Sequence, residues 1–425
     1  MTMTTTDGLR WLRGGTVLTG DGGDPLTDTA IGLRGNLIEF ITPWAELDEE
    51  SRASASDLSA HTIAPGFIDA HVHLLFTCEV DHEVTRTAFE TSSAAELALT
   101  GARNAVESLL GGVTTVRDLG DTRFVVLALR DAIAAGTLPG PRVLSAGAPL
   151  TTTGGHLHWC GNTADSVDEV RKAVRVLCSS GVDVLKVMAC GGNMTRESNV
   201  HVPQFTVEEL TVAVTEAHRF GRRTAAHASN AESIRRSIAA GIDTLEHCLW
   251  RDENGAPLPA DELLELLLPT VTSVTVTLAG IQRVMLSDAD PEPVELAAAQ
   301  ATSPTGGLAS DYEWVKPLID AGVNVALASD AGVRFTPFRG FHETVRCGIE
   351  GFGVTPSQAV GMATHNAAKS LGIADQVGLI APGLRGDLAV MEGTDVSRNL
   401  GAIHQVYRNG RLVVDRSQLV IGDLF

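Results

Sequence analysis

The chain has 425 residues, 44% of them hydrophobic and 20% charged, with a formal net charge of −20. That composition can bury a large core and excludes disordered and collagen-like classes. The acidic balance argues against an electrostatic grip on nucleic acid or anionic lipid, which needs a basic surface. The N-terminus, MTMTTTDGLRW, lacks the basic and apolar regions of a signal peptide, and no run of about 18 apolar residues is available to span a bilayer. The six cysteines are scattered with no Cys-x-x-Cys pair, so neither a zinc knuckle nor a thioredoxin-like site is supported, and reduced thiols are the simplest reading. A cytoplasmic protein, assembled as a homo-oligomer and without a nucleic-acid or membrane partner, is expected.

In chain order, the first 60 residues read as short strands around glycine turns: TVLTG, AIGLRGNLIEFI and HTIAPGF. The middle alternates apolar β-branched runs with amphipathic helical stretches. The strand candidates are FIDAHVH (67–73), VTTVRDL (113–119), RVLSAG (142–147), VDVLKVM (182–188), RTAAHA (223–228), IDTLEHC (242–248), PTVTSVTVT (269–277) and VNVALASD (323–330). Helical stretches such as SAAELALTGARNAVESLLGG and VEELTVAVTEAHRFG lie between them. Residues 278–312 read as helix plus loop. The last fifty residues return to β texture, with DLAVM and a hairpin AIHQVYRNGRLVVD turning at Asn409-Gly410. Eight strands separated by helices predict an α/β fold, a (β/α)8 TIM barrel over 65–374, with a small β-sandwich-like domain built from both termini, 1–64 and 375–425. The rival, a doubly wound open sheet, usually carries a glycine-rich phosphate turn, and neither G-x-G-x-x-G nor G-x-x-x-x-G-K-[ST] occurs.

Ligand-type residues end these strands while the strand interiors are apolar. His71 and His73, two apart, point the same way from the first strand. Lys186 lies near the end of the fourth, His227 ends the fifth, His247 the sixth and Asp330 the eighth. In a barrel these ends converge on one mouth. A single strand histidine is more often a hydrogen-bonded core residue, and a single Asp after a strand is often a helix N-cap; the joint pattern favours a metal site. Lys186 is one of only four lysines, with Lys172, Lys316 and Lys369. A lysine in an apolar strand is costly unless paired, for instance with Asp183, or neutral. A neutral amine can take up carbon dioxide as a carbamate, whose two oxygens can bridge two cations.

These residues carry a resemblance. APGFIDAHVH, LKVMACGGNMT, AAHAS, LEHC and ALASDAG, in that order, resemble the strand motifs of the amidohydrolase superfamily. ATHNAAKSLGI, VGLIAPGLRGDLAVM and VYRNGRLV resemble its closing helix and return to the β domain. Lys186, with TTTGGH and KVMACGG, looks most like the branch of Xaa-Pro and Xaa-Arg/Lys dipeptidases and imidazolonepropionase-related proteins. The resemblance implies two divalent ions, zinc first, although manganese, iron or cobalt fit the same donor types. His71, His73 and Asp330 would hold one ion and His227 and His247 the other, with carboxylated Lys186 between. It implies hydrolysis by a metal-bridging hydroxide, with Asp330 as proton shuttle. His156 would touch the substrate carbonyl or carboxylate. His158, Asn193 and Arg196 are further candidate substrate contacts.

The reaction expected is cleavage of a C–N bond in an amide, dipeptide or N-acyl amino acid. Non-peptide carbamates, ureas or lactones are the alternative. Deamination within the same superfamily is disfavoured, because such deaminases commonly carry a glutamate after the fifth-strand histidine, whereas this chain reads His227-Ala228-Ser229-Asn230-Ala231. A non-catalytic scaffold would be expected to have lost ligands, and all six positions carry a competent side chain.

Overall fold

The structure is a computed structural model that describes residues 8–278 and 312–420. Four strands open the chain: β1 (Leu9–Val17), β2 (Leu26–Arg34), β3 (Leu37–Pro43) and β4 (Ser56–Pro65). The first begins earlier than TVLTG suggests. Its Trp11 packs with Ala30 and Leu47, while Leu12 packs with Ile31, Ile63 and Val390 in a separate cluster. The adjacent Trp11 and Leu12 are buried on opposite faces, so the alternation that signals a half-buried strand is absent there.

The eight expected central strands all form: β5 (Phe67–Val72), β6 (Val113–Asp118), β7 (Arg142–Ser145), β8 (Val184–Met188), β9 (Arg223–Ala228), β10 (Thr244–His247), β11 (Ser273–Thr277) and β12 (Val325–Ala328). They are assigned to two parallel sheets, β5-β6-β7 and β12-β11-β10-β9-β8. Every residue of β5, β6, β8, β11 and β12 is buried, as expected for parallel strands covered on both sides. Bridges connect the two sheets. Leu150 N–H donates to the Lys186 carbonyl and Met188 N–H to the Leu150 carbonyl, both at 2.8 Å. At the other margin Asp330 N–H donates to the His71 carbonyl at 2.9 Å and His73 N–H to the Ala331 carbonyl at 2.8 Å.

Helices Ala94–Leu110 and Val207–Arg219 occupy the amphipathic stretches read from sequence, each started by a capping box, Ser93 with Glu96 and Thr206 with Glu209. The 278–312 expectation falls almost wholly outside the described residues. No helix among the described residues is long and apolar enough to cross a membrane.

The chain closes with β13 (Leu388–Glu392), β14 (Ile403–Arg408), β15 (Arg411–Asp415) and β16 (Gln418–Leu419). These join the opening strands in one sheet, ordered β16-β15-β14-β13-β4-β1-β2-β3, so both ends of the chain share it. Asn409 and Gly410 make the hairpin turn with φ of +50° and +71°, the left-handed pair that such a two-residue loop requires.

Candidate metal centre

His71 is the penultimate residue of β5 and His73 follows its end, so both lie where β5 is tied to the segment after β12. The same backbone bonds deliver Asp330, whose Oδ1 lies 3.5 Å from His71 Nε2 and 3.3 Å from His73 Nε2. These three side chains offer donor atoms mutually close enough to hold one cation. From there the imidazoles continue as a chain. Ring centroids are 4.9 Å apart for His71 and His247, 4.5 Å for His247 and His227, and 4.6 Å for His227 and His156. Lys186 is central in β8, 1% exposed, and its Nζ has no hydrogen-bond partner. The strands therefore bring together all six residues assigned to metal, and His156 with them.

Local backbone geometry aims these side chains. His247, Cys248 and Asp330 have φ of +66°, +51° and +60°. Left-handed conformations of this kind cost about 1–2 kcal/mol for non-glycine residues, least for Asp and Asn, and tend to collect at functional sites. No helix begins directly after Asp330; the next helical element is the short turn Phe338–Gly340. The N-cap reading of Asp330 thus has no helix to act on. Asp183 is likewise unavailable to Lys186, since its carboxylate accepts from Arg130 Nη1 at 2.8 Å and Ser145 N–H at 2.9 Å.

Two charged residues missed in the sequence reading sit directly behind the site. Glu246, fully buried, accepts from His71 Nδ1 at 2.9 Å through one oxygen and from Arg117 Nη2 at 2.6 Å through the other. Arg117, 1% exposed, also donates to the Ala70 carbonyl at 2.7 Å and to Thr244 Oγ1 at 3.1 Å. The carboxylate puts the His71 proton on Nδ1 and leaves the Nε2 lone pair facing Asp330. His247 Nδ1 pairs with Thr277 Oγ1 at 2.6 Å, which leaves its Nε2 free in the same way. The signal was present: a charged residue inside an apolar strand, the same signal that singled out Lys186.

Electrostatics favour cation binding. Burial lowers the His71, His156 and His227 imidazoles well below their ordinary value, and lowers His247 to about 4. Burial thus favours the neutral imidazole, which has a lone pair to give. Burial pushes the Asp330 carboxyl up, but the surrounding His71, His73 and His247 outweigh it and hold it below the usual carboxylate range. Burial also pulls the Lys186 ammonium down to about 8, against the opposing pull of Glu246 and Asp330. Neutral imidazoles, an ionised carboxylate whose Oδ1 makes no hydrogen bond, and an unpartnered amine form a donor set that fits divalent cations.

The substrate-side candidates fall into two groups. His156 is buried and positioned by its own backbone, whose N–H donates to Gln204 Oε1 at 2.6 Å. Its ring packs so closely on Gly192 that a Cβ there would lie 2.4 Å from Nε2; only glycine leaves the room. Gly120 makes the same allowance for His73, with a Cβ falling 2.3 Å from Nδ1. His158 is half-buried in the following turn, with Nδ1 3.0 Å from the Gly155 carbonyl. Asn193 and Arg196 are exposed on the loop after β8, where Asn193 accepts from His82 Nδ1 through its backbone carbonyl at 3.2 Å.

A model of the amidohydrolase family matches residues 62–413. Ochratoxinase of Aspergillus niger is 29% identical over 430 aligned residues, covering 94% of this chain and 85% of that protein. Its crystal structure superposes with a TM-score of 0.77, at 28% identity and 96% coverage of each chain. A Xaa-Pro dipeptidase solved with methionine in its active site gives 0.76 at 26% identity, covering 95% of this chain and 99% of that one. Imidazolonepropionase of Cutibacterium acnes is 24% identical over 407 residues, covering 92% of this chain and 89% of that protein.

Proposed function

The chain belongs to the amidohydrolase family, hydrolases acting on carbon–nitrogen bonds, and from that premise we propose that it cleaves an amide, dipeptide or N-acyl amino acid with the help of two divalent cations, zinc first. The observation that carries this reading is the convergence of five imidazoles, Asp330 and the unpartnered Lys186 amine beside one another. We take the two parallel sheets as one eight-stranded barrel over 65–374, an interpretation supported by the bridges at Leu150 and Ala331. We take the shared terminal sheet, from 1–64 and 375–425, as its small companion domain.

In this reading His71, His73 and Asp330 would hold one cation, and His227 and His247 the other. Lys186 would serve both as its carbamate, formed when the neutral amine nitrogen bonds to the carbon of carbon dioxide and loses a proton. Bound there, the cations would supply Lewis-acid activation of water and of the scissile carbonyl. Asp330 takes the proton released by the attacking water on a carboxylate oxygen and returns it to the leaving nitrogen. His156 orients the substrate carbonyl or carboxylate, with His158, Asn193 and Arg196 offering polar contacts on the loops after β7 and β8. Hydrolysis is favoured over deamination because Ser229 and Asn230 stand where an acid would be needed. Asn230 is already committed to capping helix Ala231–Ala240.

The test is a hydrolysis screen of metal-loaded protein on dipeptides, N-acyl amino acids, carbamates and ureas. Turnover confined to the first two classes is expected, and turnover confined to carbamates or ureas would transfer the reading to those substrates. Activity of stripped protein should climb with added zinc until about two equivalents are bound at this centre, because five side-chain ligands and a lysine exceed what one tetrahedral ion uses. Full activity at one equivalent would exclude the binuclear centre.

Glu246→Gln tests the support behind His71. The amide keeps the size but loses the charge that holds the His71 proton, so metal affinity or activity should fall about 10–100-fold. The same change leaves the buried Arg117 charge uncompensated and should lower unfolding stability by about 3–5 kcal/mol. Wild-type metal affinity and a wild-type melting curve together would remove Glu246 from this role.

A further inference from the structure

A second group of ligand-type side chains lies on the terminal sheet, outside the cluster just described. β4, β13 and β14 are neighbours there. His61 on β4 is in direct register with Glu392 on β13. On the other side the ladder steps from Val390 opposite Gln405 to Met391 opposite Ile403, which leaves His404 as the extra residue of a β-bulge. Bulges of this kind re-aim a side chain. His404 leans across β13 until its ring stacks on that of His61, with centroids 4.1 Å apart. His61 Nε2 lies 3.1 Å from one oxygen of Glu392, and His404 Nδ1 lies 2.8 Å from the other. One donor atom of each residue lies within 4.8 Å of the other two.

We propose that His61, Glu392 and His404 form a structural divalent-cation site, of zinc type, that clasps β4 of the shared sheet to its neighbours β13 and β14. Two imidazoles and a carboxylate are a zinc ligand set, with water left to complete the coordination. The side chain of Glu392 is 53% exposed, so a cation and water can reach it, while the histidines are only 16% and 13% exposed and are held by their strands. A shared cation would use a lone pair from each ring, with the Glu392 carboxylate as counter-charge. The ligands come from positions 61, 392 and 404, so the ion would tie together segments separated by most of the chain.

The probe is zinc alone, applied to the full-length protein. Wild type, His404→Ala and Glu392→Gln are dialysed against the same zinc buffer, then compared by elemental analysis, turnover and melting. Each variant should bind one equivalent less than the wild type at unchanged kcat. Zinc should raise the wild-type melting temperature by about 5 °C more than that of either variant. Glu392→Gln keeps the volume of a half-exposed side chain, so it remains informative if His404→Ala folds poorly. Equal zinc content in the wild type and the folded variants overturns the proposal and leaves a cation-free trio, held by the His404–Glu392 hydrogen bond, the His61–Glu392 contact and the stacked rings. Failure of the two-cation reading of the main centre would change the total in all three proteins, not the difference between them.

Discussion

Lys186→Ala is expected to lower kcat by more than about 100-fold and to reduce bound zinc. Replacing a residue that only orients a metal ligand already costs about 10–100-fold, and Lys186 is assigned between both cations. The variant should regain part of its activity with millimolar acetate or propionate, because a short carboxylate offers the two oxygens of the carbamate in the space the side chain vacates. Rescue separates chemistry from misfolding, since a small acid does not restore an unfolded chain. The pH dependence follows from the amine. With Lys186 lowered to about 8, the neutral fraction that can react with carbon dioxide rises about tenfold between pH 7 and pH 9. Reactivation of metal-stripped, decarboxylated enzyme at fixed dissolved carbon dioxide should accelerate to match, and carbon-13-labelled bicarbonate should deliver a carbamate signal. Full activity in metal-loaded enzyme whose lysine carries no label would refute the modification.

The central strands were legible because strands buried on both faces read as continuous apolar runs, and a His, Lys or Asp near the end of such a run stands out. That signal located His71, His73, Lys186, His227, His247 and Asp330, which the structure brings together. Arg117 and Glu246 interrupt the runs VTTVRDL and IDTLEHC in the same manner, but they lie further inside their strands and satisfy each other behind the site, a pairing across strands that no local pattern encodes. The left-handed backbone at His247 and Asp330 was not legible at all, because it depends on how each strand turns out of the sheet and not on local residue preference. The close approaches of Gly120 to His73 and Gly192 to His156 are also tertiary. Nothing local in DLGD or CGGN says which ring will press against the missing Cβ. On the terminal sheet, His61 and His404 belong to no shared sequence pattern, since register and a bulge create their contact.

Asp330→Asn is expected to lower kcat by about 10²–10⁴-fold, the range of a general acid–base step, while bound zinc changes much less. The substitution isolates the proton. Asparagine is nearly the same size, can still offer a carbonyl oxygen to a cation, and tolerates the left-handed φ of +60° that Asp330 adopts. Backbone strain and packing are therefore preserved, and what disappears is a basic oxygen. Asp330 is suited to the task because its neighbours keep it ionised: the imidazoles of His71, His73 and His247 hold the carboxyl below its usual range despite burial. One oxygen stands 3.3 Å and 3.5 Å from two histidine nitrogens, as a ligand would, so the other is available to accept and return a proton. A purely structural role predicts a different pattern. With no helix starting at residue 331, even a lost cap would cost only about 1 kcal/mol of stability and little rate. Turnover, zinc content and melting temperature measured on this one variant separate the two. Near-wild-type turnover with the metal retained would move the proton transfer elsewhere, and His156 is the next group to test: its ring lies 4.6 Å from His227, is neutral because burial disfavours its charged form, and has a buried Nδ1 with no hydrogen-bond partner.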